Sequence, residues 1–347
     1  MYIRRIIVIV SLLGLVALAG FSYYIWQVIF SPNTSFEQAQ VEVLIPSDAS
    51  YQELREQFSP LIEDMESFDL VAQKKGYTTN LKPGRFYLKE GSNNNELINT
   101  LRSANTPGWV TFNNQERLED LAGRVSEQIE ADSLSLLQAM KDTVFLNEHG
   151  FTLPSALNMY IPNKYEFFWN TSATEFRERM LREYRRFWNE QRLAKAAEIG
   201  LSPQEIMVVA SVVQKETSQV DERPRVAGVY LNRLENGWKL EADPTVIYAI
   251  KESTGNFDTI IKRVLYKDLE LDSPYNTYMY QELPPGPIAM PDISSIDAVL
   301  NHEDHNYFFF VADVENFGYH KFAENLAQHN RNKRAYINWI NSTGIRR

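Results

Sequence analysis

The chain contains no cysteine. Disulfides, thiolate zinc sites and a cysteine nucleophile are excluded, while the redox compartment stays open. Histidine is scarce, at five among 347 residues. His302 and His305 in "NHEDH" lack the i, i+4 spacing of helical zinc motifs, and no third ligand is evident, so neither a metal nor a cofactor is expected. There is no G-x-S-x-G elbow and no phosphate-binding glycine loop. Positive charge is in deficit, with 35 Lys and Arg against 45 Asp and Glu and a formal net charge of −10. Such a surface does not suit nucleic acid or anionic headgroups as partners held by bulk charge. Internal repeats are absent as well.

What is present is a globular composition, 44% hydrophobic and 23% charged, in a chain long enough for more than one domain. The one long hydrophobic run is Ile6 to Phe30, which carries no charge and exceeds the roughly 20 residues of a bilayer-spanning helix. Arg4 and Arg5 precede it, and Tyr23, Tyr24 and Trp26 lie near its far end, where aromatic rings favour the interface. The expectation is a single-pass anchor in the cytoplasmic (inner) membrane, with residues 1–5 as a cytoplasmic tip and the bulk on the extracytoplasmic side. Ala17-Leu18-Ala19 offers the competing reading of a cleaved signal peptide. In either case the remainder loses two arginines, and its charge becomes −10 − 2 = −12.

Residues 31–40 are polar and read as a linker. "VEVLIP" then alternates as a strand, "SYQELREQFSPLI" and "FDLVAQKKG" as helices, the second closed by Gly76, and "LKPGRFYLKEG" as a turn and strand. With the helix "SNNNELINTLRSA" these form a small α+β module over 41–105 that lacks any cluster of acids or histidines. From 106 to 347 the pattern is mostly helical with short strands, so the overall class is α+β. "WVTFNN" reads as a strand, "ERLEDLAGRVSEQI" and "ADSLSLLQAMKD" as amphipathic helices, "MYIPNKYEFFWN" as an aromatic connector, and "SATEFRERMLREYRRFWNEQRLAKAAEIG" as one long helix ending at Gly200.

The stretch "SPQEIMVVASVVQKET" poses the chemical question. Ser202, Pro203 and Glu205 form a strong helix start. Counting onward, Glu216 shares a face with Val209, Val212 and Val213. A carboxyl at the end of a buried stripe is partly desolvated, which favours its protonated form, as a general acid requires. The alternative is a Glu at the core edge paired with Arg223 or Arg225. "EADPTVIYAI" opens a further helix, with Asp243 either its N-cap or a second acid. "SPYNTYMYQELPPGPI" combines Tyr, Asn and a proline-rich turn, which suits neutral sugars and ordinary loop packing alike.

These stretches, with "VAGVYLNRLENGWKLEADPTVIYAI" and "YHKFAENLAQHN", resemble the YceG-like family of endolytic murein transglycosylases in motif order and spacing from about Gly108 onward. The resemblance implies a LysM-like module and a lysozyme-like catalytic domain, with glycan strands of peptidoglycan as substrate and cell-wall synthases as membrane partners. It implies a lyase that cuts the β-1,4 bond between N-acetylmuramic acid and N-acetylglucosamine, forms 1,6-anhydro ends and terminates strand elongation. The family's catalytic Glu falls on Glu216; Lys215, Thr217, Asn232, Arg233, Asp243, Thr245, Tyr275, Asn276, Tyr278 and Pro285 match positions implied to line or shape the cleft. The chain departs from the family pattern at Leu157 and Asn163, where acids are usual, at Glu282 for a Gly, and at Gln214 and Gln328. Two further readings remain open: a muramidase-type hydrolase, with Asp243 or Glu222 as second carboxylate, and a non-catalytic peptidoglycan-binding scaffold, favoured by Leu157.

Overall fold

The computed structural model describes residues 2–343; Met1 of the expected tip and 344–347 of the expected C-terminal domain lie outside the described residues. Two compact units share the chain. The first runs to Val110 and adds Gln128–Ala131 and Tyr165–Ser172; the second holds Thr111–Glu127, Asp132–Lys164 and the chain from Ala173 on.

The first unit begins with α1 (Tyr2–Phe30), long and apolar enough to cross a membrane and with no buried residue. An anchor and a signal sequence pass that test equally. Strand β1 (Gln40–Ile45) pairs antiparallel with β2 (Gly84–Lys89), with Val43 opposite Phe86 and Val41 opposite Leu88. Helices α2 (Tyr51–Phe58), α3 (Met65–Lys74) and α4 (Asn94–Ser103) start at side-chain caps from Ser50, Asp64 and Asn93. Their apolar faces close over the pair: Val43, Phe58, Phe68, Tyr77, Phe86, Leu97 and Ile98 are buried together. After α3, Gly76 takes φ +66°, the left-handed conformation that lets the chain reverse.

The stretch 31–40 is not a free linker. Pro32 bridges to Asn93 and Thr34 to Ile62. The buried Asn33 amide donates to Asn94 Oδ1 at 2.7 Å and to the Asp64 carbonyl at 2.9 Å, and its oxygen accepts from the Asp64 N–H. Asn94 in turn donates to the Val28 carbonyl near the end of α1 at 2.8 Å and to Ser67 at 2.9 Å. A buried amide must find partners, and these bind the end of α1 to the module.

Strands β3 (Gly108–Phe112) and β4 (Asn163–Phe167) pair with each other. Strand β4 falls inside the stretch expected as a connector. In the second unit follow α5 (Leu118–Ser126), α6 (Ser133–Met140), α7 (Thr143–Glu148), α8 (Ala173–Phe187) and α9 (Glu190–Ile199). The single long helix expected over α8 and α9 is two, because Asn189 breaks it: its side chain accepts from Arg192 N–H and caps α9. Gly200, at φ +81°, ends α9 as expected.

Helix α10 (Pro203–Glu216) is the core of this unit. Its capping box of Ser202 and Glu205 is present, and every residue from Ile206 to Val213 is buried. Around it pack α9, α11 (Arg223–Glu235), α12 (Asp243–Thr254) and α13 (Ile293–Leu300). Strands β5 (Phe309–Ala312) and β6 (His320–Ala323) pair antiparallel, with Phe310 opposite Phe322 and Ala312 opposite His320, and α14 (Leu326–Thr343) packs against both.

Candidate active site

Because Val209, Val212 and Val213 are fully buried, the helical register carries Glu216 to the end of that stripe. It is the last residue of α10, only partly exposed, and it opens into a cavity of about 370 Å³. The phenol of Tyr230, projecting from α11, donates to Glu216 Oε2 at 3.1 Å. The other oxygen has no hydrogen bond among the described residues. Burial pushes the Glu216 carboxyl up from the usual range. The nearby charge of His320 and the Tyr230 bond pull it down, Asp243 pushes it up, and Arg233 pulls it down. Burial prevails, and the acid is biased toward its protonated form. Pairing with Arg223 or Arg225 does not occur. Arg223 donates to Ser294, and Arg225 binds Glu303 at 2.9 Å.

Asp243 faces the same cavity, but not as the cap of α12. The N-cap is Ala242 and Asp243 is the first helical residue; one residue of register turns its carboxylate away from the backbone N–H groups. It accepts instead from the Tyr278 phenol at 2.7 Å. Burial and that bond hold the phenol protonated well beyond its ordinary range. Arg233 also lines the cavity, with Nε on the Phe308 carbonyl at 2.8 Å and a terminal nitrogen on the Leu240 carbonyl at 2.6 Å. Between them Glu241 sits at φ +48°, a conformation costly for a non-glycine residue, and lines the cavity too.

The remaining expected residues support the cavity or lie apart from it. Thr245 is buried and shares a 2.8 Å hydroxyl contact with Thr277, which fixes the start of α12 against the 273–280 loop. Asn276 is buried and spends its amide on the carbonyls of Leu269 and Leu271. Thr217 donates to Glu222 at 3.0 Å. Asn232 donates to the carbonyls of His305 and Tyr307 and does not line this cavity. Lys215 is drawn off to Glu116 at 2.6 Å, because it leaves the helix on another face from Glu216. Tyr275 packs at a tilt against Tyr248, with ring centroids 4.6 Å apart, and lines a separate cavity of about 300 Å³ with Leu157 and Glu116. Pro285 is exposed and outside both cavities. Glu222 is also outside: it is buried, accepts from His320 N–H at 2.6 Å and lies 2.8 Å from His320 Nδ1. Burial alone would raise its carboxyl, but the His320 and Thr217 contacts outweigh that and hold it low.

Several lining residues are not singled out as site residues by the sequence, although Tyr230, Leu326, His329 and Asn330 lie within the stretches that carry the family resemblance. Tyr230 counts as one more apolar residue on α11 when only periodicity is considered. Phe309 and Phe310 come from β5, and Leu326, His329, Asn330 and Lys333 from α14. Only the i, i+4 spacing of His329 and Lys333 marks a shared face. The departures from the family pattern have local explanations. Gln214 accepts from Asp292 N–H at 2.5 Å and from Ser295, and Leu157 is buried. Asn163 and Glu282 are exposed.

The YceG-like family model matches residues 43–335. A Bacillus subtilis protein named endolytic murein transglycosylase is 26% identical over 329 residues, covering 89% of this chain and 88% of that one. A Streptococcus pneumoniae D39 protein of the same name is 23% identical, covering 97% of this chain and 65% of its own length. Among solved structures, a YceG-like protein from Listeria monocytogenes matches with a TM-score of 0.56 at 24% identity, over 85% of this chain and 99% of that one. That last match is a likeness of fold.

Proposed function

The chain belongs to the YceG-like family, and from that premise we propose that it is an endolytic murein transglycosylase in which Glu216 is the sole acid and base. The observation that carries the assignment is the asymmetry of Glu216. One oxygen is held by Tyr230 and the other is free toward the cavity, in surroundings that favour the proton. In this mechanism Glu216 gives its proton to the glycosidic oxygen, and the C1–O4 bond breaks with that oxygen leaving as the N-acetylglucosamine 4-hydroxyl. Positive charge develops at muramyl C1. The Glu216 carboxylate then takes the proton of the muramyl C6 hydroxyl, and O6 closes on C1 as the 1,6-anhydro bond. The proton returns to Glu216, no water is consumed, and no second catalytic carboxylate is required, in contrast to a hydrolase. The nascent strand would end at the anhydro ring, which terminates its elongation.

The remaining cavity groups suit an uncharged sugar. Phe309, Phe310 and Leu240 offer apolar faces to a pyranose ring, and Tyr278 and Asn330 are polar groups for hydroxyl or acetamido contacts. Thr245, Thr277 and Asn276 position the loop that carries Tyr278. Helix α1 would hold the protein in the cytoplasmic membrane, with the cavity on the extracytoplasmic side among the cell-wall synthases. The first unit, read as LysM-like, would bind or position glycan and carries no chemistry of its own.

One observation favours the hydrolytic alternative: Asp243 and Glu241 share the cavity with Glu216, although Glu222 does not. Mass spectrometry of glycan strands digested by the full chain decides between them. Anhydro-muramyl ends support the lyase, reducing ends the hydrolase, and intact strands a non-catalytic scaffold.

A further inference from the structure

Most charged groups facing the Glu216 cavity are already committed. Arg233 serves two carbonyls and stands 3.7 Å from Glu241, Asp243 is bonded to Tyr278, and Glu216 to Tyr230. The wall supplied by α14 differs. Lys333, at its exposed rim, forms no hydrogen bond or ion pair among the described residues, and neither does the side chain of Asn330. The His329 ring packs on Phe309 with centroids 5.2 Å apart, and its buried Nδ1 has no hydrogen-bond partner. His329 and Lys333 are four residues apart, so they occupy one face of the helix, and all three line the cavity. The His329 Nδ1 is itself closed to solvent, whereas the unpaired Lys333 ammonium and the Asn330 carboxamide stand exposed on the cavity wall, open to a ligand.

We propose that this face of α14 is a subsite for a carboxylate of the glycan substrate, with Lys333 as the cation that confers a preference for strands carrying one. The inference rests on the transglycosylase reading above. An ammonium at a rim attracts an anion, and the neutral sugar ring gives it none. The substrate has two sources of the same chemistry. On peptide-free strands the 3-O-lactyl group of muramic acid ends in a free carboxylate. On peptide-bearing strands that group is an amide, and the carboxylates are those of the stem peptide.

The test compares the full chain with Lys333→Ala and Lys333→Arg on four substrates: peptide-free strands, peptide-bearing strands, and each of these after conversion of its carboxyls to neutral amides. For the wild type, kcat/KM for anhydro-end formation should be about five- to tenfold higher on carboxylate strands than on their amidated counterparts, as a charge-assisted contact at an exposed rim would give. The preference should lie in KM and weaken with added salt. Lys333→Ala should abolish it and Lys333→Arg should keep it. The strand type that shows it identifies the source. A wild type without preference, or a preference surviving in Lys333→Ala, overturns the subsite. Calorimetric binding of the same strands to Glu216→Gln gives the same comparison without turnover. Strands left intact by the wild type would therefore count against the transglycosylase reading and still leave the subsite decided by binding.

Discussion

In the small module Asn33 and Asn94 leave the solvent, with Ser67 half-buried and Asp64 exposed beside them, and each buried amide bonds to a neighbour or to a backbone carbonyl. In the Glu216 cavity Glu216 and His329 are also partly withdrawn from solvent, but one oxygen of Glu216 and the Nδ1 of His329 have no protein partner among the described residues, nor has the exposed ammonium of Lys333 at the rim. In the first, the amides that line a cavity of about 350 Å³ are already spent on partners within the protein; in the second, hydrogen-bonding capacity is kept for something that arrives. Burial is shared by the two regions, and satisfaction separates them.

The largest expected effect breaks the catalytic side of that contrast. Glu216→Gln keeps the size of the side chain and an acceptor for Tyr230 but cannot deliver a proton. Formation of anhydro ends should fall by about 10²–10⁴-fold or more, checked by product mass spectrometry. Its stability should move the other way with pH. The folded-state carboxyl lies above the unfolded one, so between the two the native state binds more protons and wild-type stability falls as pH rises. Gln does not titrate. The variant should therefore melt above the wild type at pH 7, with the gap closing toward pH 4; a constant gap would remove the raised acid from the account.

The next tests the satisfied cluster. Asn94→Leu removes the nearest of the three acceptors of the Asn33 amide and the donor to the Val28 carbonyl, at about 1–3 kcal/mol for a group left unsatisfied. Hydrogen exchange in β1 and β2 should show the module weakened by about 3 kcal/mol, while anhydro-product formation changes less than about twofold. Comparable loss of both would show that the cluster serves chemistry as well as structure.

Two smaller effects sharpen the cavity by their opposite signs. Tyr230→Phe removes a donor that favours the carboxylate, so the Glu216 carboxyl should rise further and the alkaline limb of the kcat/KM profile should shift to higher pH. Asp243→Asn removes a neighbouring negative charge, so that limb should shift to lower pH. Because Asp243 is the first residue of α12 rather than its cap, the stability cost should be only the dipole contribution, about 0.3–1 kcal/mol by thermal unfolding. A well-folded Asp243→Asn that loses about 10²-fold or more would make it the second carboxylate of a hydrolase.

The position of Glu216 is legible in the amino-acid order because a helix repeats every 3.6 residues, and Val209, Val212 and Val213 fix the buried face. The same local arithmetic locates the capping box at Ser202 and the turn at Gly200. It fails at Asn189, where a polar residue inside a helical pattern caps a new helix, and at Asp243, where one residue of register separates a cap from a cavity wall. It also fails for Lys215 and Asn232, whose motif spacing is right and whose partners, Glu116 and the His305 and Tyr307 carbonyls, lie 73 to 99 residues away in the chain.

By itself, then, the sequence determined the apolar N-terminal helix, the α+β class, the motif order of the family and the carboxyl at the end of α10. Each follows from composition or from periodicity within a few turns of chain. Tertiary structure alone decided which groups surround that carboxyl. Tyr230, Arg233, Asp243, Phe310 and Lys333 are spread over more than 100 residues of chain, and their order along it says nothing about which of their faces converge. It also decided which polar groups are satisfied, because a hydrogen bond depends on a distance and an angle in space, and these exist only once the helices have packed.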